Sequence, residues 1–136
     1  MEPELKVPQN VQPVILLAED DQLVRNLIRA VLANEGYTVL SATDGLHALE
    51  MSREYEGKIQ LLLSDVRMPR MDGLELSEHI VKDRPDIKIL LMSGRMSGEA
   101  LINHQAANFL RKPFVAQTLR SRVKTMLWGA NPADSN

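Results

Sequence analysis

Apolar runs of a few residues alternate along this chain with longer segments in which apolar side chains recur every three or four positions. A short continuous run bounded by turn residues reads as a strand buried on both faces. The three-to-four spacing reads as a helix with one apolar face. The runs predict strands over residues 13–18, 37–40, 58–64, 86–92 and a very short one over 108–110. The periodic segments predict helices over 22–34, from Asp44 to about 55, over 73–84, 97–105 and 115–128. Leu23, Val24, Leu27, Ile28, Val31 and Leu32 carry the first helical pattern, and Gly36 ends it. Asp44 caps the second helix, which carries Leu46, Ala48, Leu49 and Met51. Leu74, Leu76, Ile80 and Val81 mark the third, which Pro85 closes. The fourth pattern is weak, with Met96, Ala100 and Leu101, and argues against a strong dimer through that face. Leu119, Val123, Met126 and Leu127 point inward from the last.

Five apolar strands alternating with five amphipathic helices imply an α/β fold, with a doubly wound parallel sheet covered on both faces. Its crossovers should be right-handed. In such sheets the ligand site lies beyond the carboxyl ends of the strands. The residues there are Glu19 and Asp20, Asp65, Ser93 and Lys112, so each of these strand ends carries a polar or charged group. One domain is expected over 13–129. Residues 1–12, with Pro3 and Pro8, and residues 130–136 read as tails.

Composition narrows the possible chemistry. A net charge of −2 gives no general attraction to nucleic acid. The absence of cysteine excludes disulfides, thiolate metal sites and thiol catalysis, and fits the cytoplasm. Apolar runs of about five residues fall far short of the roughly 20 needed to cross a bilayer. The start, Met1-Glu2-Pro3-Glu4, lacks the basic region and apolar core of a signal peptide. His47, His79 and His104 have no ligand-like spacing and read as surface residues.

What remains is the acidic chemistry. Val14-Ile15-Leu16-Leu17-Ala18 ends in Glu19-Asp20-Asp21, and Leu61-Leu62-Leu63-Ser64 ends in Asp65. Two like charges 4 Å apart repel by about 4 kcal/mol at an effective dielectric near 20. Carboxylates gathered at one sheet edge therefore call for a cation, and oxygen ligands favour magnesium. Asp65 can serve as a nucleophile forming an acyl phosphate, or it is a loop or helix-capping aspartate. Asp21 reads equally as a cap on the first helix. Lys112 can supply a point charge, or be one of many exposed lysines. Ser93 can hydrogen-bond a ligand, or satisfy its own loop. Arg67 and Arg95 flank the site with cations, or are solvated.

The motifs Glu19-Asp20-Asp21, Asp65 with Met68-Pro69 and Asp72-Gly73, Met92-Ser93-Gly94, Phe109, and Lys112-Pro113-Phe114 occur in one order and spacing. With them the chain resembles the receiver domain of bacterial two-component response regulators, in its single-domain form, over about residues 14–127. The resemblance implies a flavodoxin-like sheet with strand order 2-1-3-4-5. It also implies phosphorylation of Asp65 by a histidine kinase or phosphotransfer protein. Mg2+ would be held directly by Asp20, Asp65 and the backbone carbonyl of Arg67, with Glu19 acting through water. Lys112 and Ser93 would contact the phosphoryl group, and the Lys112–Pro113 peptide would be cis. Ser93, Gly94 and Phe109 would form the switch, shifting the face made by the fourth helix, last strand and last helix. Many relatives carry Tyr where Phe109 stands, so the rotation here would depend on packing alone.

Such a chain is a cytoplasmic switch, not an enzyme acting on an external substrate, and is a monomer or weak dimer. Only nine residues follow Leu127, so no output domain is expected and a downstream protein is the target. The alternative is the receiver module of a hybrid histidine kinase. A phosphatase of the haloacid dehalogenase type would want an aspartate at position 67, where this chain has Arg.

Overall fold

A computed structural model describes residues 12–94 and 108–129. The elements run β1 (Val14–Ala18), α1 (Gln22–Asn34), β2 (Thr38–Ala42), α2 (Gly45–Glu54), β3 (Leu61–Asp65), α3 (Gly73–Asp83), β4 (Lys88–Ser93), β5 (Asn108–Arg111) and α4 (Ala116–Trp128). The expected weak helix over 97–105 and Arg95 and His104 lie outside the described residues, as do both tails except Gln12.

All five strands are parallel, in the order β2-β1-β3-β4-β5. This is the flavodoxin-like arrangement. Side chains alternate between faces with a period of two, and this splits the apolar residues into two cores. Leu16, Ala18, Leu62, Ile89 and Leu91 pack with Ala48 and Leu49 of α2 and Leu76 and Ile80 of α3. Ile15, Leu17, Leu61, Leu63, Leu90 and Met92 pack with Ile28 and Leu32 of α1 and Leu119 and Val123 of α4. Strands enclosed on both sides need no polar alternation, which is why they read as unbroken apolar runs.

Several boundaries differ from the expected ones. β3 begins at Leu61, not at 58. Before it, the Gln60 amide donates to the Val14 carbonyl and the Gln60 side chain accepts from the Val14 amide at 2.7 Å. That exchange anchors the strand entry without extending the ladder through Lys58. β4 begins at Lys88 because the Ile87 amide turns back onto the Arg84 carbonyl. Leu23 and Leu27, counted in the apolar pattern of α1, are 81% and 65% exposed, and Val81 of α3 is also exposed. The face of α1 that meets the sheet is the Val24, Ile28, Val31, Leu32 line, and Leu23 and Leu27 run along its flank.

Candidate functional site

Strand register brings the candidate residues to one level. Ala18 pairs with Ser64, so Glu19 follows β1 beside Asp65. Asp65 pairs with Met92, which puts Ser93 one step further along β4. Ser93 pairs with Arg111, so Lys112 follows at the end of β5. The Lys112 amide donates to the Ser93 carbonyl at 2.9 Å, and the Lys112–Pro113 peptide bond is cis.

Carboxylate oxygens of Glu19, Asp20 and Asp65 lie within 4.8 Å of one another. Glu19 is fully buried, Asp65 half-buried and Asp20 exposed. The Lys112 ammonium donates to Glu19 Oε1 at 2.9 Å and to Asp65 Oδ2 at 3.2 Å. Burial pushes the Glu19 carboxyl above its usual range, against the hydrogen bonds from Lys112 and the Asp21 amide. Burial pulls the Lys112 ammonium down, but its bond to Glu19 and the negative charge of Asp65 and Glu19 outweigh this, and its pKa is raised. The ammonium is thus held charged between two carboxylates. An all-oxygen donor set of three clustered carboxylates fits a hard divalent ion such as magnesium.

The neighbouring residues are placed by their own local chemistry. Asp21 is the N-cap of α1, its side chain accepting from the amides of Leu23 and Val24. Its Oδ1 is committed to the helix, so it stands apart from the Glu19, Asp20, Asp65 cluster. Arg67 is exposed on the loop after β3, Ser93 is buried, and Gly94 is exposed with open space where a side chain would stand. Phe109 is half-buried and packs against the core beneath α2 and α3.

Three arrangements were not anticipated. Glu19 is also a direct partner of Lys112, because the Lys112 side chain reaches from the end of β5 past β4 to the ends of β3 and β1. Arg70 grips Asp44 with two hydrogen bonds, Nε to Oδ2 at 2.8 Å and a terminal nitrogen to Oδ1 at 3.1 Å. No local pattern signals that pair, since 26 residues separate its members. His47, expected at the surface, is half-buried, and its Nδ1 accepts from the Thr43 amide at 3.1 Å.

The family model of the response regulator receiver domain matches residues 15–124. The chain is 39% identical over 117 residues to the sensor kinase CckA of Brucella abortus, covering 83% of this chain and 12% of that protein. It is 36% identical over 124 residues to the response regulator MprA of Mycobacterium leprae, covering 89% of this chain and 54% of that one. It therefore spans about half or less of the length of these relatives. Among solved structures, a CheY-like response regulator receiver domain protein from Methanospirillum hungatei superposes with a TM-score of 0.80 at 28% identity, over 86% of this chain and 94% of that one. The receiver domain of the hybrid histidine kinase CckA superposes with a TM-score of 0.67 at 35% identity, over 84% and 98%. Sheet order and sequence agree, and the chain belongs to the response regulator receiver domain family.

Proposed function

We propose that this chain is the phosphoacceptor of a two-component phosphorelay, receiving a phosphoryl group on Asp65 and relaying it as a change of surface. The observation that carries this reading is the Lys112 ammonium held 3.2 Å from Asp65 inside a three-carboxylate cluster. Asp65 attacks phosphorus on a phosphohistidine of a histidine kinase or phosphotransfer protein. A P–O bond forms, the P–N bond breaks, and the imidazole leaves with the electron pair and takes up a proton. Asp20, Asp65, the Arg67 carbonyl and, through water, Glu19 would hold Mg2+. When bound, this ion offsets the negative charge gathered around the phosphoryl oxygens.

Lys112 exchanges its bond to Asp65 for one to a phosphoryl oxygen, while Glu19 keeps it oriented. Ser93 donates its hydroxyl to another of those oxygens, and Gly94 leaves room for the group. Phosphorylation adds about two negative charges and three strong acceptors. Phe109 then turns inward behind Ser93, and the surface around β5 and α4 changes for a downstream protein. The reading places the protein in the cytoplasm. Among the described residues no helix is long and apolar enough to cross a membrane.

Acetyl phosphate with Mg2+ tests the reading. The protein should gain one phosphoryl mass, and Asp65→Asn should gain none. Absence of uptake by the unsubstituted protein would end it. The similarity to the CckA kinase and to its receiver supports a second reading, a receiver module of a hybrid histidine kinase. Gene context and the mass of the full-length cellular protein distinguish the two.

A further inference from the structure

Arg70 is the only non-glycine residue with positive φ among the described residues, at 69°. The Met71 amide donates to the Pro69 carbonyl at 2.8 Å, closing a three-residue turn around it. A positive φ at the centre of such a turn is the rare, strained form of the γ-turn. Strain of this kind persists only where the surroundings enforce it. Here the neighbouring loop does so. The Arg70 guanidinium is fastened to both oxygens of Asp44, which is 7% exposed and also caps α2 by accepting from the His47 amide at 2.8 Å. Alongside, Gly45 lies so close to the Met71 carbonyl that a β-carbon would overlap it. The far end of the same loop is pinned by the Gly73 amide on the Val66 carbonyl at 2.8 Å.

We infer that Arg70 is a positioning residue: its two-pronged bond to Asp44 holds the loop from Val66 to Asp72 in the strained shape that presents Arg67 and Asp65 to the divalent ion. The inference rests on the proposed magnesium site for its consequence, though not for the latch itself. A carboxylate fixed by a helix cap is a rigid anchor, and the planar guanidinium transmits its position with little slack. Without the anchor the turn relaxes out of the left-handed region, three residues from Arg67.

Asp44→Asn and Arg70→Gln test this, singly and together. Asn caps a helix as well as Asp, so the first variant keeps α2 intact. In Mg2+-free protein, each single variant should speed amide hydrogen exchange across residues 66–72 at least fivefold, with β1 and β3 unchanged. In a Mg2+ titration by calorimetry, each should raise the dissociation constant at least threefold. The double variant should be no weaker than the worse single one, and Arg70→Lys should recover part of the loss. Unchanged loop exchange overturns the latch. In a protein that binds Mg2+, an unchanged dissociation constant or additive losses overturn its positioning role. A failure of the unsubstituted protein to bind Mg2+ defeats the magnesium site separately, and the exchange measurement still decides the latch.

Discussion

Gly73, the first residue of α3, leaves no room for a side chain, because a β-carbon there would fall on the Asp65 carbonyl oxygen. Ser64 Oγ is the next neighbour at 3.0 Å, and it donates to that same carbonyl at 2.8 Å. A methyl group must therefore push α3 outward or move the backbone of Asp65. Gly73→Ala should cost about 1–3 kcal/mol of stability in urea unfolding, the usual range for overpacking against backbone. It should also slow phosphoryl uptake from acetyl phosphate, since the nucleophile shifts with its carbonyl. Gly94 is the control. Among the described residues nothing lies within 4 Å of a β-carbon there, so Gly94→Ala should change stability by less than about 0.5 kcal/mol.

Lys112 neutralises a carboxylate that water cannot reach, since Glu19 is 0% exposed. Lys112→Met leaves that group buried without its cation. The cost in urea unfolding should be on the order of 1–3 kcal/mol, the penalty for a buried group stripped of its partner. Glu19→Gln combined with Lys112→Met should cost less than the sum of the two single changes, because a neutral amide needs no counterion. Additive losses would show that the pair contributes no coupling.

The fold was legible because a parallel sheet enclosed on both faces writes itself as apolar runs, and each run found here is a strand. The gathering of the candidate residues was legible for a related reason. Residues that follow such strands have only one edge to occupy, so Glu19, Asp65, Ser93 and Lys112 meet there through register alone. What periodicity could not resolve was the side of a helix. Leu23 and Leu27 share the spacing of a buried line yet face solvent, because the orientation of α1 is fixed by where the sheet lies. Nor could it find Arg70 and Asp44, whose contact depends on two loops arriving side by side.

Asp21 illustrates how two readings of an acidic run separate. Its Oδ1 accepts from the Leu23 amide at 2.9 Å and from the Val24 amide at 3.1 Å, satisfying donors that the start of α1 would otherwise leave open. Asp21→Ala should therefore cost about 1 kcal/mol in urea unfolding, and Asp21→Asn close to nothing. Equal losses from both substitutions would mean that charge, not capping, is what this position supplies.

The Asp44–Arg70 pair should also give the protein an acid-side dependence of stability. The Arg70 guanidinium holds the Asp44 carboxyl below its ordinary value of 3.8, helped against burial by the His47 amide and side chain. A carboxylate with a lowered pKa binds fewer protons folded than unfolded. Its contribution is therefore fully present above the unfolded value of 3.8 and is lost as pH falls through the lower folded one. Arg70 faces Glu50 as well as Asp44, and its own pKa is raised, so it keeps its charge throughout this window. Asp44→Asn removes the titrating group while retaining the cap. In urea unfolding the variant should be less stable than the unsubstituted protein at pH 6, and the difference should shrink steadily once pH falls below 3.8. A difference that holds constant into acid would mean that Asp44 stabilises the loop by shape alone, with no electrostatic part.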